Sequence, residues 1–127
     1  MLLGNLLRSV RKKYRKISVE GICFDSRKVK KKDIFFAIKG SKTSGTKFIK
    51  EAISKGASAI VSNKKVKLKN SKIPLFIVND VRKSLSEACS NFYKKKPSSI
   101  IAVTGTNGKS SVADFFYQIL NLHKVSA

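Results

Sequence analysis

This chain of 127 residues has one histidine, two cysteines, no tryptophan and only seven acidic residues. His123 stands alone near the C-terminus, which excludes a histidine-based triad and a histidine cluster for zinc. Cys23 and Cys89 have no Cys or His neighbour at metal-ligand spacing, so they read as reduced, half-buried small apolar side chains. No uncharged apolar run approaches the roughly 18 residues that a membrane-crossing helix needs. The N-terminal Met1-Leu2-Leu3-Gly4-Asn5-Leu6-Leu7-Arg8 has no basic residue before its short apolar run and no small-residue cleavage site after it, which argues against a secretory signal. A cytoplasmic location, with no membrane partner, is the expectation.

The seven acids face 28 basic residues, for a formal net charge of +21. Of these, 23 are Lys and five are Arg, spread along the whole chain. Sites that read phosphate backbones or base edges draw on the planar fork of Arg, which makes bidentate contacts that an ammonium cannot. Scattered lysine therefore reads as compositional drift, and no specific nucleic-acid partner is expected. At 42% apolar residues, the chain can build a core, which excludes wholesale disorder.

Leu3, Leu6, Leu7, Val10 and Tyr14 recur at helical spacing and predict a short amphipathic helix with a basic outer face. Strands are expected over Ser18 to Phe24 and Asp33 to Lys39, the second carrying Ile34-Phe35-Phe36-Ala37-Ile38. Phe48, Ile49, Ala52 and Ile53 form a helical stripe that stops at Gly56. Two more strands follow, Ala57 to Val61 and Pro74 to Val78. Asn79-Asp80 then offers a cap for a helix whose apolar face holds Val81, Leu85, Ala88, Cys89 and Phe92. Lys94-Lys95-Lys96-Pro97 ends that helix and marks a domain boundary. Beyond it come a strand, Ser99 to Val103, a loop and a helix carrying Val112, Phe115, Phe116, Ile119 and Leu120. Strands alternating with helices predict an α/β fold with largely parallel pairing.

One stretch carries recognisable chemistry: Ile100-Ile101-Ala102-Val103-Thr104-Gly105-Thr106-Asn107-Gly108-Lys109-Ser110-Ser111. A strand runs into a glycine-bearing turn and then into a helix that opens with Lys and Ser, the arrangement in which backbone N–H groups and a helix N-terminus hold phosphate oxygens. Gly105 and Gly108 allow close approach of the backbone. Lys109 suits the β and γ phosphates, and the Ser110 hydroxyl suits Mg²⁺. The strict phosphate-loop pattern has a further glycine five residues before Gly108, where this chain has Val103.

Thr-Gly-Thr-Asn-Gly-Lys-Ser is a shortened form of that loop, and in it the chain resembles the Mur ligases and their folylpolyglutamate synthetase relatives. Asp25-Ser26-Arg27, Asp33 through Gly40, Phe48-Ile49, Ala52 and Gly56-Ala57 extend the resemblance to the N-terminal domain of the tripeptide-forming branch of the family. It covers about Ile17 to about Leu120. It implies a small N-terminal substrate domain over 1–97, followed over 98–127 by the first strand, phosphate loop and helix of a P-loop-type central domain. It also implies ATP and Mg²⁺ as cofactors, with UDP-N-acetylmuramoyl-dipeptide and an amino acid as substrates. The UDP portion would meet Phe24, Ser26, Ser41, Lys42 and Thr43. Gly105, Thr106, Asn107, Gly108, Lys109, Ser110 and Ser111 would hold ATP, with Lys109 as the catalytic cation and Ser110 as a metal ligand. The family usually has an acid just before the second glycine of the Gly40–Gly45 loop; here Ser44 stands there.

The implied chemistry is transfer of a γ-phosphoryl group to a carboxylate, followed by attack of an amino group on the acyl phosphate. Members of the family continue for several hundred residues past the phosphate loop, so this chain is expected to be a fragment, inactive alone, whose Phe115, Phe116 and Ile119 face lacks its usual cover. The ligase that adds the terminal dipeptide is the alternative within the family. From other classes come a stand-alone nucleotide-binding regulator and a basic nucleic-acid-binding module. The last would stack bases on Tyr14, Phe35, Phe36 and Tyr93, most of which fall on expected core faces.

Overall fold

The computed structural model describes residues 1–8, 10–40, 43–68, 73–95 and 97–125. The chain divides into two compact units, Met1–Lys94 and Lys95–Ala127.

The first unit is built on four strands: β1 (Gly21–Cys23), β2 (Asp33–Phe36), β3 (Ala59–Ser62) and β4 (Leu75–Ile77). They lie in sequence order, and every neighbouring pair is parallel. Ile22 pairs with Ile34, Phe35 with Ile60, and Val61 with Phe76. A parallel sheet is covered on both faces, so its inner strands are apolar at successive positions rather than at alternate ones. That is why Ile34-Phe35-Phe36 is an uninterrupted apolar run; all four residues of β2 and of β3 are buried.

Successive side chains leave opposite faces of a strand, and the core divides accordingly. Ile34, Phe36, Ala59, Val61 and Phe76 pack with Leu3, Leu6, Leu7 and Val10 and with Val81 and Ala88 of α3 (Val81–Phe92). Phe35, Ala37 and Ile60 pack on the other side with Ile49 and Ala52 of α2 (Ile49–Ser54). Each fully buried Phe or Ile contributes about 1.5–3 kcal/mol relative to an exposed one. Asp80 caps α3 as its position before the apolar stripe predicts, its Oδ1 accepting the N–H groups of Arg82 at 2.8 Å and Lys83 at 3.0 Å. Gly56, with φ +96°, follows the end of α2.

Two expected elements take a different form. The apolar stripe from Leu3 to Tyr14 is largely buried, but helix α1 covers only Leu3–Leu6. Backbone pairing across the N-terminus outcompetes continuation of the helix. Leu3 N–H donates to Ile17 O at 2.9 Å, Gly4 N–H to Arg15 O at 3.1 Å and Val19 N–H to Met1 O at 2.7 Å. Leu7 is consequently extended, and only a single 3₁₀ turn forms at Lys12–Tyr14.

The second correction concerns residues 99–103, expected as a strand, which form no regular secondary structure. A strand is defined by its hydrogen-bonded neighbour, and among the described residues this segment has none. The second unit then contains α4 (Lys109–Leu122). None of its residues is buried; Phe115, Phe116 and Ile119 are all exposed. Among the described residues, no helix is long and apolar enough to cross a membrane.

Candidate functional site

Past the end of β1 the chain turns through Phe24 and Asp25 into a 3₁₀ turn at Ser26–Lys28. Asp25 fixes this turn by accepting the N–H of Arg27 at 3.0 Å, the Asx arrangement that favours Asp before a tight turn. It also holds the Arg27 guanidinium through both oxygens, with Nε–Oδ1 at 2.9 Å and Nη2–Oδ2 at 2.8 Å. Past the end of β2, residues 38–40 and 43–45 come together through Gly40 N–H to Thr43 O at 2.9 Å and Gly45 N–H to Ile38 O at 3.0 Å, forming the two sides of a second loop. Gly45 is required for close approach. A Cβ there would lie 2.5 Å from Ile38 O and 2.7 Å from Ala37 C.

These two loops and the start of α2 enclose a cleft of about 500 Å³, lined by Phe24, Asp25, Ser26 and Arg27, by Ile38, Gly40, Thr43 and Gly45, and by Phe48 and Glu51. Ser26 is buried, and its hydroxyl donates to Glu51 Oε2 at 2.6 Å. Lys55 Nζ pairs with Glu51 Oε1 at 3.0 Å and donates to Arg27 O at 3.0 Å. The Arg27 side chain beside Asp25 lowers its pKa to about 2. The Ser26 hydroxyl, followed by Lys55, holds Glu51 below the ordinary carboxylate range. Both acids are therefore ionised at neutral pH, and each already has a cation on it. Phe24 and Phe48 leave apolar ring surface open at 64% and 40% exposure. The cleft thus offers aromatic faces and hydrogen-bonding groups, and its described cations are engaged by carboxylates.

In the second unit, Gly105 has φ +153° and Gly108 has φ +73°. Gly108 is the cap residue of α4 in left-handed conformation, which L side chains adopt only with strain. Nothing lies within 4 Å of where its Cβ would be. The helix start carries no side-chain cap, so the first N–H groups of α4 are available to an anion. Lys109 Nζ folds back over the loop to donate to Gly105 O at 2.5 Å and Thr106 O at 3.1 Å. Glycines at the turn, an uncapped helix start and an ammonium over the loop are the donor set that a nucleotide polyphosphate requires.

The structure brings Phe24, Ser26 and Thr43 together in one cleft. Ser41 and Lys42 lie outside the described residues. Gly105 through Ser111 run consecutively from the turn into the first turn of α4, all exposed. Sequence reasoning missed Glu51, which a face-by-face reading of α2 assigns to solvent as the partner of Lys55 four residues on. It also used Phe48 as part of a helical stripe and of the family resemblance, without placing it at the substrate site. For stacking nucleic-acid bases, Phe35 and Phe36 are unavailable at 1% and 0% exposure, and Tyr14 packs edge-on against Phe76. Of the four aromatics considered for that role, Tyr93 alone is exposed.

The family model described as Mur ligase family, catalytic domain, matches residues 18–93. The UDP-N-acetylmuramoyl-L-alanyl-D-glutamate–2,6-diaminopimelate ligase of Rickettsia conorii is 47% identical over 109 residues, covering 86% of this chain and 22% of that protein. The Rhizobium meliloti ligase of the same name is 45% identical over 103 residues, covering 81% of this chain and 21% of that protein. This chain thus spans about a fifth of the length of these curated relatives. Among solved structures, the MurF ligase of Thermotoga maritima in complex with ADP superposes with a TM-score of 0.65 at 28% identity, over 81% of this chain and 23% of that one. A UDP-N-acetylmuramoyl-L-alanyl-D-glutamate–2,6-diaminopimelate ligase shares the fold over 98% of this chain and 26% of its own, with a TM-score of 0.76 at 24% identity. With a family model matched over more than half its length and relatives above 40% identity, the chain belongs to the Mur ligase family.

Proposed function

We propose that this chain serves an ATP-dependent ligase of peptidoglycan precursor synthesis, which adds the third residue to UDP-N-acetylmuramoyl-dipeptide. The Gly105–Ser111 geometry carries the reading: two glycines at positive φ, an uncapped helix start and Lys109 lying over the turn. The names of the relatives supply the substrate class, and with it 2,6-diaminopimelate as the incoming amino acid. ATP with Mg²⁺ would supply the γ-phosphoryl group that turns a substrate carboxylate into an acyl phosphate with release of ADP; the incoming amino group would then attack the acyl carbon, displace inorganic phosphate and lose a proton to leave the amide.

In this reading the chain's residues position and neutralise, which is most of what phosphoryl transfer asks of a protein. Backbone N–H groups from Gly105 to Ser111 cradle phosphate oxygens. Lys109 would exchange its two carbonyl contacts for phosphate oxygens, and the Ser110 hydroxyl would be a ligand to Mg²⁺. The cleft of Phe24, Ser26 and Thr43, with Ser41 and Lys42 from the adjoining loop, takes the UDP portion of the substrate. Residues 1–97 act as the substrate domain and 98–127 as the start of the nucleotide domain.

Thermal stabilisation tests this directly, with UDP-N-acetylmuramoyl-dipeptide and Mg-ATP added separately to the chain and to Ser26→Ala. The UDP compound should raise the melting temperature of the chain and not of the variant, while Mg-ATP raises both. Absence of any shift with the UDP compound would remove the substrate reading.

A further inference from the structure

We propose that the run Arg11–Lys16 is a docking surface for an anionic phospholipid bilayer, holding the chain at a membrane face without crossing it. No residue of the run lines the cleft beside β1 and β2 or belongs to the phosphate loop. A chain without a spanning helix can still lie on a bilayer through cations and a few aliphatic side chains.

Two runs in this chain carry five bases in six residues, Arg11–Lys16 and Arg27–Lys32. They differ in what surrounds the charge. In the second, Arg27 is held by Asp25 and Lys32 by Glu20, and Val29 between them is buried. In the first, all five bases are exposed, and among the described residues none has a carboxylate partner. A 3₁₀ turn at Lys12–Tyr14 gathers them in one short stretch, and Gly4 N–H to Arg15 O at 3.1 Å ties that stretch to the N-terminal segment.

Exposed aliphatic side chains stand at both ends of the run. Leu2, 46% exposed, forms a backbone bridge with Ser18, two residues past Lys16. Ile77, 53% exposed, lines one cleft with Arg11 and Tyr14. Cations beside open aliphatic groups fit the boundary of a bilayer, where the cations meet lipid phosphates and the aliphatic groups leave water among acyl chains. A nucleic acid would leave Leu2 and Ile77 unused. Nor is Tyr14 free to stack on a base: its ring packs edge-on against Phe76 at 5.9 Å, with Lys13 Nζ 4.6 Å from its centroid. Three of the five bases are Lys, which serves a lipid headgroup as a point charge without the bidentate geometry that nucleic-acid reading draws from Arg.

The test is co-sedimentation of the chain with vesicles of phosphatidylglycerol and phosphatidylcholine in equal parts, and with phosphatidylcholine vesicles, at about 0.15 M salt. The chain should bind the mixed vesicles and not the neutral ones; no binding to the mixed vesicles overturns the proposal. Each base at an anionic surface contributes about fivefold. Joint replacement of Arg11, Lys12, Lys13, Arg15 and Lys16 by Gln should therefore weaken partitioning by about a hundredfold or more. Replacing Lys28, Lys30, Lys31, Lys64 and Lys65 by Gln leaves the same net charge and should weaken it by less than about fivefold. Equal losses from the two sets would mean that net charge alone acts, and overturn the surface. Because the chain has no tryptophan, Leu2→Trp reports the aliphatic part, and its fluorescence should shift to the blue on mixed vesicles. Duplex DNA at matched phosphate concentration is the competing polyanion. An unshifted spectrum, or DNA binding that falls as far as vesicle binding when the run is replaced, makes the run a general polyanion patch and overturns the bilayer. If the fivefold replacement does not fold, Lys12→Gln with Lys13→Gln takes its place, with a loss of about 25-fold expected and an unchanged affinity refuting the proposal.

Discussion

The two units of this chain hold their functional groups in different ways. In Met1–Lys94 the cleft is welded to the core: Ser26 is tied to Glu51 on α2, and α2 buries Ile49 and Ala52 against the sheet. In the second unit the loop 104–111 is held by its own backbone conformation and by Lys109, and no residue of α4 is buried. The first site is pre-organised by tertiary packing, so changes in the core should disturb it. The second depends on local dihedral preferences, so it should respond to changes within its own few residues.

The contrast is tested most severely by deleting an aromatic ring in each unit. Phe36→Ala should cost about 3–5 kcal/mol of unfolding free energy in urea, because Phe36 is fully buried between β3 and the N-terminal segment. Phe115→Ala, at 62% exposure, should change it by less than about 0.5 kcal/mol; similar losses would erase the distinction.

Gly45→Ala comes next. With backbone atoms 2.5–2.7 Å from the new methyl group, about 1–3 kcal/mol is expected, together with loss of the melting shift given by the UDP compound. Gly108→Ala meets open space and pays only for its left-handed φ, about 1–2 kcal/mol confined to the helix start. It should abolish the Mg-ATP shift and spare the UDP shift; loss of both would mean the two sites are not separately held. Asp80→Ala removes two hydrogen bonds at the start of α3 and should cost about 1 kcal/mol, read from the same urea curves.

The smallest effect sharpens the electrostatic side. Asp25 has its pKa lowered to about 2 by Arg27, so the stability it adds is fully present above the unfolded value of 3.8 and is lost as pH falls through about 2. The stability difference between the chain and Asp25→Asn should therefore hold from pH 7 to pH 4 and fade between about pH 4 and pH 2. A difference that faded near pH 6 would assign it to another group.

Much of the fold is legible in the sequence where local and tertiary demands agree. Ile34-Phe35-Phe36 reads as a buried strand because both faces of a parallel strand are covered, and Asp80 reads as a cap because its carboxylate reaches the N–H groups two and three residues on. The N-terminal stripe misleads because burial has more than one geometry. Leu3, Leu6, Leu7 and Val10 are all core, yet pairing of residues 1–4 with 15–19 ends the helix after one turn. Residues 99–103 have strand composition, but composition does not supply a neighbouring strand. In the site, Phe24, Ser26 and the glycine loop stand out by motif. Glu51 does not, because 25 residues separate it from Ser26 and only the packing of α2 against the sheet closes that distance.

The sequence by itself determined the order of elements, the parallel α/β class and the phosphate-loop motif, since these follow from periodicity, capping and turn chemistry within a few residues. Tertiary structure alone decided that two loops and one helix meet around a cleft, and that a carboxylate on α2 takes the proton of Ser26. Contacts between distant segments arise when apolar faces are buried together, and no local pattern records which polar groups that burial brings into reach.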